Sequence, residues 1–141
     1  MRLQLLTCAL IAACVLALPA HAGDMTPACP ASIQTEQKAA TPPEGWKSDD
    51  SNGRHPFINV MFSDGEPDQQ MILAPSKEVG KKGKDIATWY FSGTEKGVWL
   101  SCLYNETRVR LSQKLPEGVK SCTVTYDKRF SSPVAKEIVC R

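Results

Sequence analysis

The cysteines are the feature that most restricts how this 141-residue chain can fold. Two lie in an apolar N-terminal stretch, at Cys8 and Cys14. The other four are Cys29, Cys102, Cys122 and Cys140. An even number of cysteines in an exported domain indicates disulfides. No C-x-x-C pair occurs, and the one histidine beyond residue 22, His55, is distant from every cysteine. We therefore expect two disulfides, no metal and no cofactor.

The N-terminus predicts export. Arg2 precedes an apolar run over residues 3–18, which suits a signal peptide but is short for a transmembrane helix. Pro19 then breaks the run, and Ala20-His21-Ala22 has the small-x-small pattern of a cleavage site. We expect a signal peptide over 1–22, a mature N-terminus at Gly23, no membrane span after cleavage, and a periplasmic or secreted location.

Lipidation of Cys14 is the alternative, because Ile11-Ala12-Ala13-Cys14 loosely resembles a lipobox. The apolar run continues after Cys14 through Leu18, whereas polar residues normally follow a lipidated cysteine. Soluble export is therefore favoured, and the sequence leaves lipidation open.

Period-two alternation predicts an all-β fold. Val98, Leu100, Cys102 and Tyr104 share one face of a strand, and Val109 and Leu111 are expected to continue that packed face. Further strands are expected at 31–39, 56–62, 69–75, 86–92, 121–127 and 137–141, with a polar loop at 76–85. We predict a single small antiparallel β-sandwich or β-barrel of about 7–8 short strands. Its parts are an N-terminal strand and linker, 23–45, and a β-rich body, 46–141, which form one domain.

Strand register ranks the possible disulfides. If 107–114 pairs with 121–127 in a meander, Cys102 and Cys122 lie two strands apart, which exceeds the Cα separation of about 7 Å that a disulfide tolerates. A hairpin turned around 130–133 would place Cys140 almost opposite Cys122. The favoured pairs are therefore Cys29 with Cys102 and Cys122 with Cys140, although sequence alone leaves other connectivities open.

The sequence shows no defensible catalytic constellation. His55 is the one available base and is expected to be an exposed loop residue, and the acidic pairs Asp49-Asp50 and Asp64-x-Glu66 fall in predicted turns. The formal net charge is +2, and removal of Arg2 lowers it to +1, so no strong field selects nucleic acid. We expect a binding protein that is not an enzyme.

A binding surface is predicted from exposed aromatic and basic residues. In Trp89-Tyr90-Phe91, strand alternation should turn Tyr90 away from its neighbours. The loop that precedes this strand carries Lys81, Lys82 and Lys84. Tyr90 and these lysines are the predicted surface, with the lysines suited to an acidic partner.

Several spaced motifs resemble a known family. They are Cys29-Pro30-x-x-Ile33, Trp46, Gly65-Glu66-Pro67, Leu73-Ala74-Pro75, Trp89, Trp99-x-x-Cys102-x-Tyr104-x-x-Thr107, Leu115-Pro116 and Cys122-x-Val124-x-Tyr126. Together they resemble an uncharacterised family of small exported proteobacterial proteins, some of them encoded near type VI secretion genes. The resemblance implies export, a disulfide-bearing domain and, by gene association, an immunity or inhibitor role.

The leading hypothesis is a periplasmic, non-enzymatic module that binds another exported protein as an inhibitor or immunity protein. A rigid β scaffold suits the presentation of loops to a protein partner. The alternative is a structural or assembly factor of the cell envelope that binds peptidoglycan or an outer-membrane complex.

Overall fold

The computed structural model describes residues 23–49, 51–81, 84–128 and 132–141. The predicted signal peptide and the first two residues of the turn at 130–133 lie outside them. The described residues form nine strands and one short 3₁₀ helix, Pro67–Gln69. The strands are β1 (Ser32–Gln37), β2 (Ser51–Asp64), β3 (Ile72–Leu73), β4 (Lys77–Lys81), β5 (Lys84–Tyr90), β6 (Val98–Tyr104), β7 (Arg110–Lys114), β8 (Ser121–Asp127) and β9 (Val134–Cys140). The all-β prediction is confirmed.

The strands form two antiparallel sheets. Sheet I has the order β1-β2-β6-β7, and the two-residue β3 also pairs with β2. Sheet II has the order β4-β5-β8-β9. The core lies between the sheets: Phe62 of β2 contacts Trp89 of β5 with ring centroids 4.9 Å apart, and Phe91 with centroids 5.4 Å apart. Phe62, Leu100 and Val124 are fully buried there.

Three expectations about the strands were wrong. Residues 76–85 were expected to be a loop, but they largely form a hairpin of β4 and β5, paired from Lys77↔Thr88 to Lys81↔Lys84. This pairing satisfies the backbone N–H and C=O groups, and the polar side chains of the segment give no indication of it. The segment 69–75 retains only β3, since a 3₁₀ helix occupies its start. The expected meander is also absent, because β7 belongs to sheet I and β8 to sheet II.

Strict alternation is broken at one place, and one face that it predicted to be packed is exposed. A register shift between Phe57 and Asn59 lets Phe57 pack on the same core as Val60 and Phe62. Val109 and Leu111, expected on a packed face, are 43% and 42% exposed. Leu111 does lie opposite Cys102 on the inner face of sheet I, but all five residues of β7 are exposed.

The disulfides join Cys29 to Cys102 and Cys122 to Cys140, with Cα atoms 5.7 and 4.1 Å apart. These are the pairs favoured by strand register, and Cys140 lies directly opposite Cys122. Cys102 and Cys122 are kept apart by lying in different sheets, and not by a meander as assumed. Cys29 joins the segment before β1 to the middle of sheet I.

Candidate protein-binding surfaces

The structure separates the predicted Tyr90 and lysine surface into two places. Tyr90 ends β5 and is 58% exposed, while Trp89 and Phe91 on either side are buried, as alternation requires. Lys81 ends β4 and Lys84 begins β5, and Lys82 lies outside the described residues. Because Lys84 and Tyr90 stand six residues apart on one strand, their backbones are separated by about 20 Å.

Tyr90 contributes to a shallow depression of about 450 Å³ that Phe91, Ser92, Gly118, Val119 and Lys120 also line. The outer face around it is rich in hydroxyl groups, since Thr88 of β5 and Thr123 of β8 are joined by a 3.2 Å hydrogen bond. Trp46, a large aromatic side chain in the segment before β2, is 74% exposed.

His55 is not an exposed loop residue. It lies in β2 and is only 9% exposed, so that expectation was wrong. The Asn105 carbonyl oxygen can only accept, so Nδ1 donates to it at 2.8 Å. Nε2 forms the second hydrogen bond of the ring, with the Thr35 hydroxyl at 3.0 Å. Both ring nitrogens are therefore occupied.

A glycine makes room for this imidazole. A Cβ atom at Gly53 would stand 2.8 Å from His55 Nε2, so the ring can fold across the strand only because Gly53 has no side chain. Gln37 extends the network by donating to Thr35 Oγ1 at 2.8 Å and to Thr107 Oγ1 at 3.1 Å. The network ties β1 and β2 to the turn that precedes β7. A Thr-His pair could in principle serve as nucleophile and base, but the burial of both side chains assigns this one to structure.

Of the acidic residues predicted in turns, Asp64 serves structure, and Asp50 lies outside the described residues. The buried Asp64 carboxylate accepts hydrogen bonds from the Glu95 and Lys96 amides at 3.1 and 2.9 Å, and thereby holds the loop between β5 and β6. Within the described ranges, no group of three or more His, Cys, Asp or Glu side chains could hold a metal ion.

A cleft of about 550 Å³ opens between the sheets beside the β4–β5 hairpin. Asn59 and Val60 of sheet I face Glu78, Asp85 and Tyr126 of sheet II across it. Burial, together with the Glu78 carboxylate, raises the pKa of Tyr126 above its usual range. Asp85 is paired with Lys128, whose Nζ lies 2.6 Å from its carboxylate. The cleft is wide enough to receive a protruding side chain of a protein partner.

The β7 edge, defined as residues Arg108 to Lys114, is the surface that sequence reasoning missed. Among the described strands β7 pairs with β6 alone, and its other side is open. Arg108, Arg110 and Lys114 are exposed and form no ion pair with any residue that the structure describes. Residues 107–116 contain no acidic side chain. The sequence did indicate an exposed edge here, because three cationic side chains in seven residues are unusual for a strand packed on both sides.

The comparisons with known proteins give a family. A model of the type VI secretion system Tli immunity proteins matches residues 50–141, which is well over half of the chain. The chain therefore belongs to this immunity protein family, and its predicted association with type VI secretion is confirmed. The finer motif pattern stays a prediction. Neither the curated proteins nor the solved structures yield a match.

A further finding concerns membranes. In the part of the chain that the structure describes, we find no helical segment with the length and hydrophobicity that crossing a bilayer requires.

Proposed function

We propose that this protein is a periplasmic, non-enzymatic immunity protein that binds a type VI secretion effector of the lipase class and blocks its activity. Membership of the Tli immunity family is the observation that carries the proposal. An immunity protein needs a stable scaffold and an exposed contact surface, and the disulfide-bonded sandwich supplies both.

The periplasmic location rests on two independent features. The sequence of residues 1–22 has the order of a signal peptide, from Arg2 to the Ala20-His21-Ala22 cleavage pattern. All four cysteines beyond it are paired in disulfides, which persist in an oxidising compartment. We propose cleavage before Gly23.

The non-enzymatic assignment is supported by the use of His55. A general base must offer a free ring nitrogen to a nucleophile within reach of substrate. In this protein both nitrogens are engaged in a buried network that joins strands. We propose that Tyr90 and the lysines of the β4–β5 hairpin are secondary contacts, because they do not form one surface.

The test is protection of a bacterial host. The cognate type VI lipase effector, directed to the periplasm, should kill cells, and the full chain should rescue them. The same chain without residues 2–22 should fail to rescue, since it would stay with its disulfides unformed in the cytoplasm. Purified chain should also bind the effector and abolish its lipid hydrolysis.

Two outcomes would contradict the proposal. One is the absence of both binding and rescue by the full chain. The other is co-sedimentation with peptidoglycan without any effect on the effector, which would support the envelope-factor alternative instead.

A further inference from the structure

We propose that the β7 edge is the docking site for the effector, and that it takes up an edge strand of the effector as a sixth strand of sheet I. This inference rests on the proposed function and specifies the surface that performs it. The matching strand would alternate acidic side chains with apolar ones.

The backbone of β7 is set up for strand addition. The Leu115 amide donates to the Val98 carbonyl at 2.8 Å, and Gln113 and Leu111 lie opposite Leu100 and Cys102 in the same register. Successive residues of an antiparallel strand direct their amides to opposite sides. The N–H and C=O groups of Arg110, Ser112 and Lys114 therefore point away from β6, where an added strand would bond to them.

The side chains of β7 define the partner. Arg110, Ser112 and Lys114 lie on the outer face of sheet I, opposite Leu103, Ser101 and Trp99 of β6. Leu111 lies on the other face and is 42% exposed. A strand added beside β7 would place its own alternating side chains next to these, because cross-strand neighbours share a face. Carboxylates beside Arg110 and Lys114, and an apolar side chain beside Leu111, match both faces.

Charged residues on an edge strand can also serve to prevent aggregation. Two observations favour docking instead. The unpaired cations leave their charge available to a partner, and Val109 and Leu111 add exposed apolar area that a purely protective edge would omit. No other strand edge in the described residues combines exposed apolar side chains on one face with cations on the other.

Amide hydrogen exchange on the wild-type protein tests the inference directly. In the free protein Leu111 and Gln113 should be protected, while Arg110, Ser112 and Lys114 should exchange fast. In the complex with the cognate lipase effector, the latter three should become protected by at least about tenfold. If a tight complex forms and these amides still exchange at their free rates, the inference is wrong while the proposed function stands.

If no complex forms, both the proposed function and this inference are wrong. Without the effector, the protection of these three amides should not depend on protein concentration. Protection that increases with protein concentration would show that a second copy of the chain binds the edge, and it would also overturn the inference.

Paired variants separate backbone from side-chain effects. Ser112→Pro removes an outward N–H, whereas Ser112→Ala keeps it, and both lose the 2.8 Å hydrogen bond to the Ser101 hydroxyl. We expect Ser112→Pro to weaken binding about tenfold or more and Ser112→Ala by less than about twofold. Equal affinity of the two variants, both shown to be folded by circular dichroism, would contradict strand addition.

Charge is tested separately. Arg110→Glu with Lys114→Glu should weaken binding about a hundredfold and reverse its salt dependence. The matched control, Lys77→Glu with Lys136→Glu, makes the same change in net charge at exposed positions of sheet II and should leave affinity nearly unchanged. Equal losses in both double variants would refute a local acidic contact.

Discussion

The strands β7 and β9 both lie at the edge of a sheet, and they are held in different ways. β9 buries Ala135, Ile138 and Cys140, is cross-linked to β8 by a disulfide, and exchanges two backbone hydrogen bonds with Met25, at 2.9 and 2.8 Å. β7 buries none of its five side chains. Hydrophobic burial and covalent linkage thus stabilise one edge of the sandwich and leave the other exposed.

An edge strand can therefore be present in a fold without contributing much to its stability. A strand that is half solvated on both faces gains little from the hydrophobic effect, so its sequence is free to be chosen for contact with another molecule. Substitutions in and around the two strands should reveal this contrast.

Removing the disulfides should have the largest effect. Cys29→Ala with Cys102→Ala opens a link across 73 residues and should cost about 4 kcal/mol, and Cys122→Ala with Cys140→Ala opens one across 18 residues and should cost about 3 kcal/mol. Urea unfolding measures both losses. In the second variant amide exchange in β9 should rise toward that of β7, and unchanged protection of β9 would contradict its dependence on the cross-link.

Two leucines on adjacent strands of sheet I test the burial difference. Leu100 is fully buried and Leu111 is 42% exposed. Leu100→Ala should lower the free energy of unfolding by about 3 kcal/mol because it leaves a cavity, and Leu111→Ala by less than about 0.5 kcal/mol. Thermal or urea unfolding provides the measurement. A loss above about 1 kcal/mol for Leu111→Ala would show that β7 supports the fold.

The His55 network should have an intermediate effect, since it fixes the turn before β7. His55→Ala leaves the buried Thr35 hydroxyl and Asn105 carbonyl without this partner and should cost about 2 kcal/mol. Arg54→Ala is the control, because the exposed Arg54 forms a solvent-accessible hydrogen bond with Ser32 and no other side-chain bond within the described residues. Equal losses in the two variants would mean that the network is energetically unimportant.

The smallest change expected is at Tyr104, on the strand that supports β7. Its hydroxyl is buried without a hydrogen-bond partner among the described residues, so Tyr104→Phe should stabilise the fold by about 1 kcal/mol.

Tyr104 also predicts a pH dependence. Burial raises the pKa of its phenol above the usual value of 10.0. Above about pH 10 the unfolded chain loses this proton while the folded protein keeps it, so stability should fall as pH rises. Tyr104→Phe should reduce that alkaline loss in urea unfolding at pH 9 and 11. An equally steep fall in the variant would exclude Tyr104 as its source.

Local pattern predicted much of this fold. Alternation identified β6, and residues 121–127 coincide with β8. The pairing of Cys122 with Cys140 could be argued from one hairpin, because it depends on neighbouring strands alone. The pattern could not assign the strands to sheets. β7 and β8 are adjacent in sequence, but tertiary packing places them in different sheets.

The candidate site was less predictable for the same reason. Tyr90 could be expected to face solvent, but its distance from Lys84 depends on both residues lying in one straight strand. The alternation of Val109 and Leu111 was interpreted as a packed face, since periodicity reports which residues share a face and not whether another layer covers it. His55 was misjudged because Thr35 and Asn105, which form hydrogen bonds with its ring, are distant in sequence.

The bond from Cys29 to Cys102 joins a segment outside the family match to a strand within it. Residues 38–49, between β1 and β2, are almost entirely exposed and so are open to proteases. A single cut there would yield two polypeptides that still migrate as one on a non-reducing gel. A protein of this design can thus be nicked outside the cytoplasm and remain whole until a reductant reaches it.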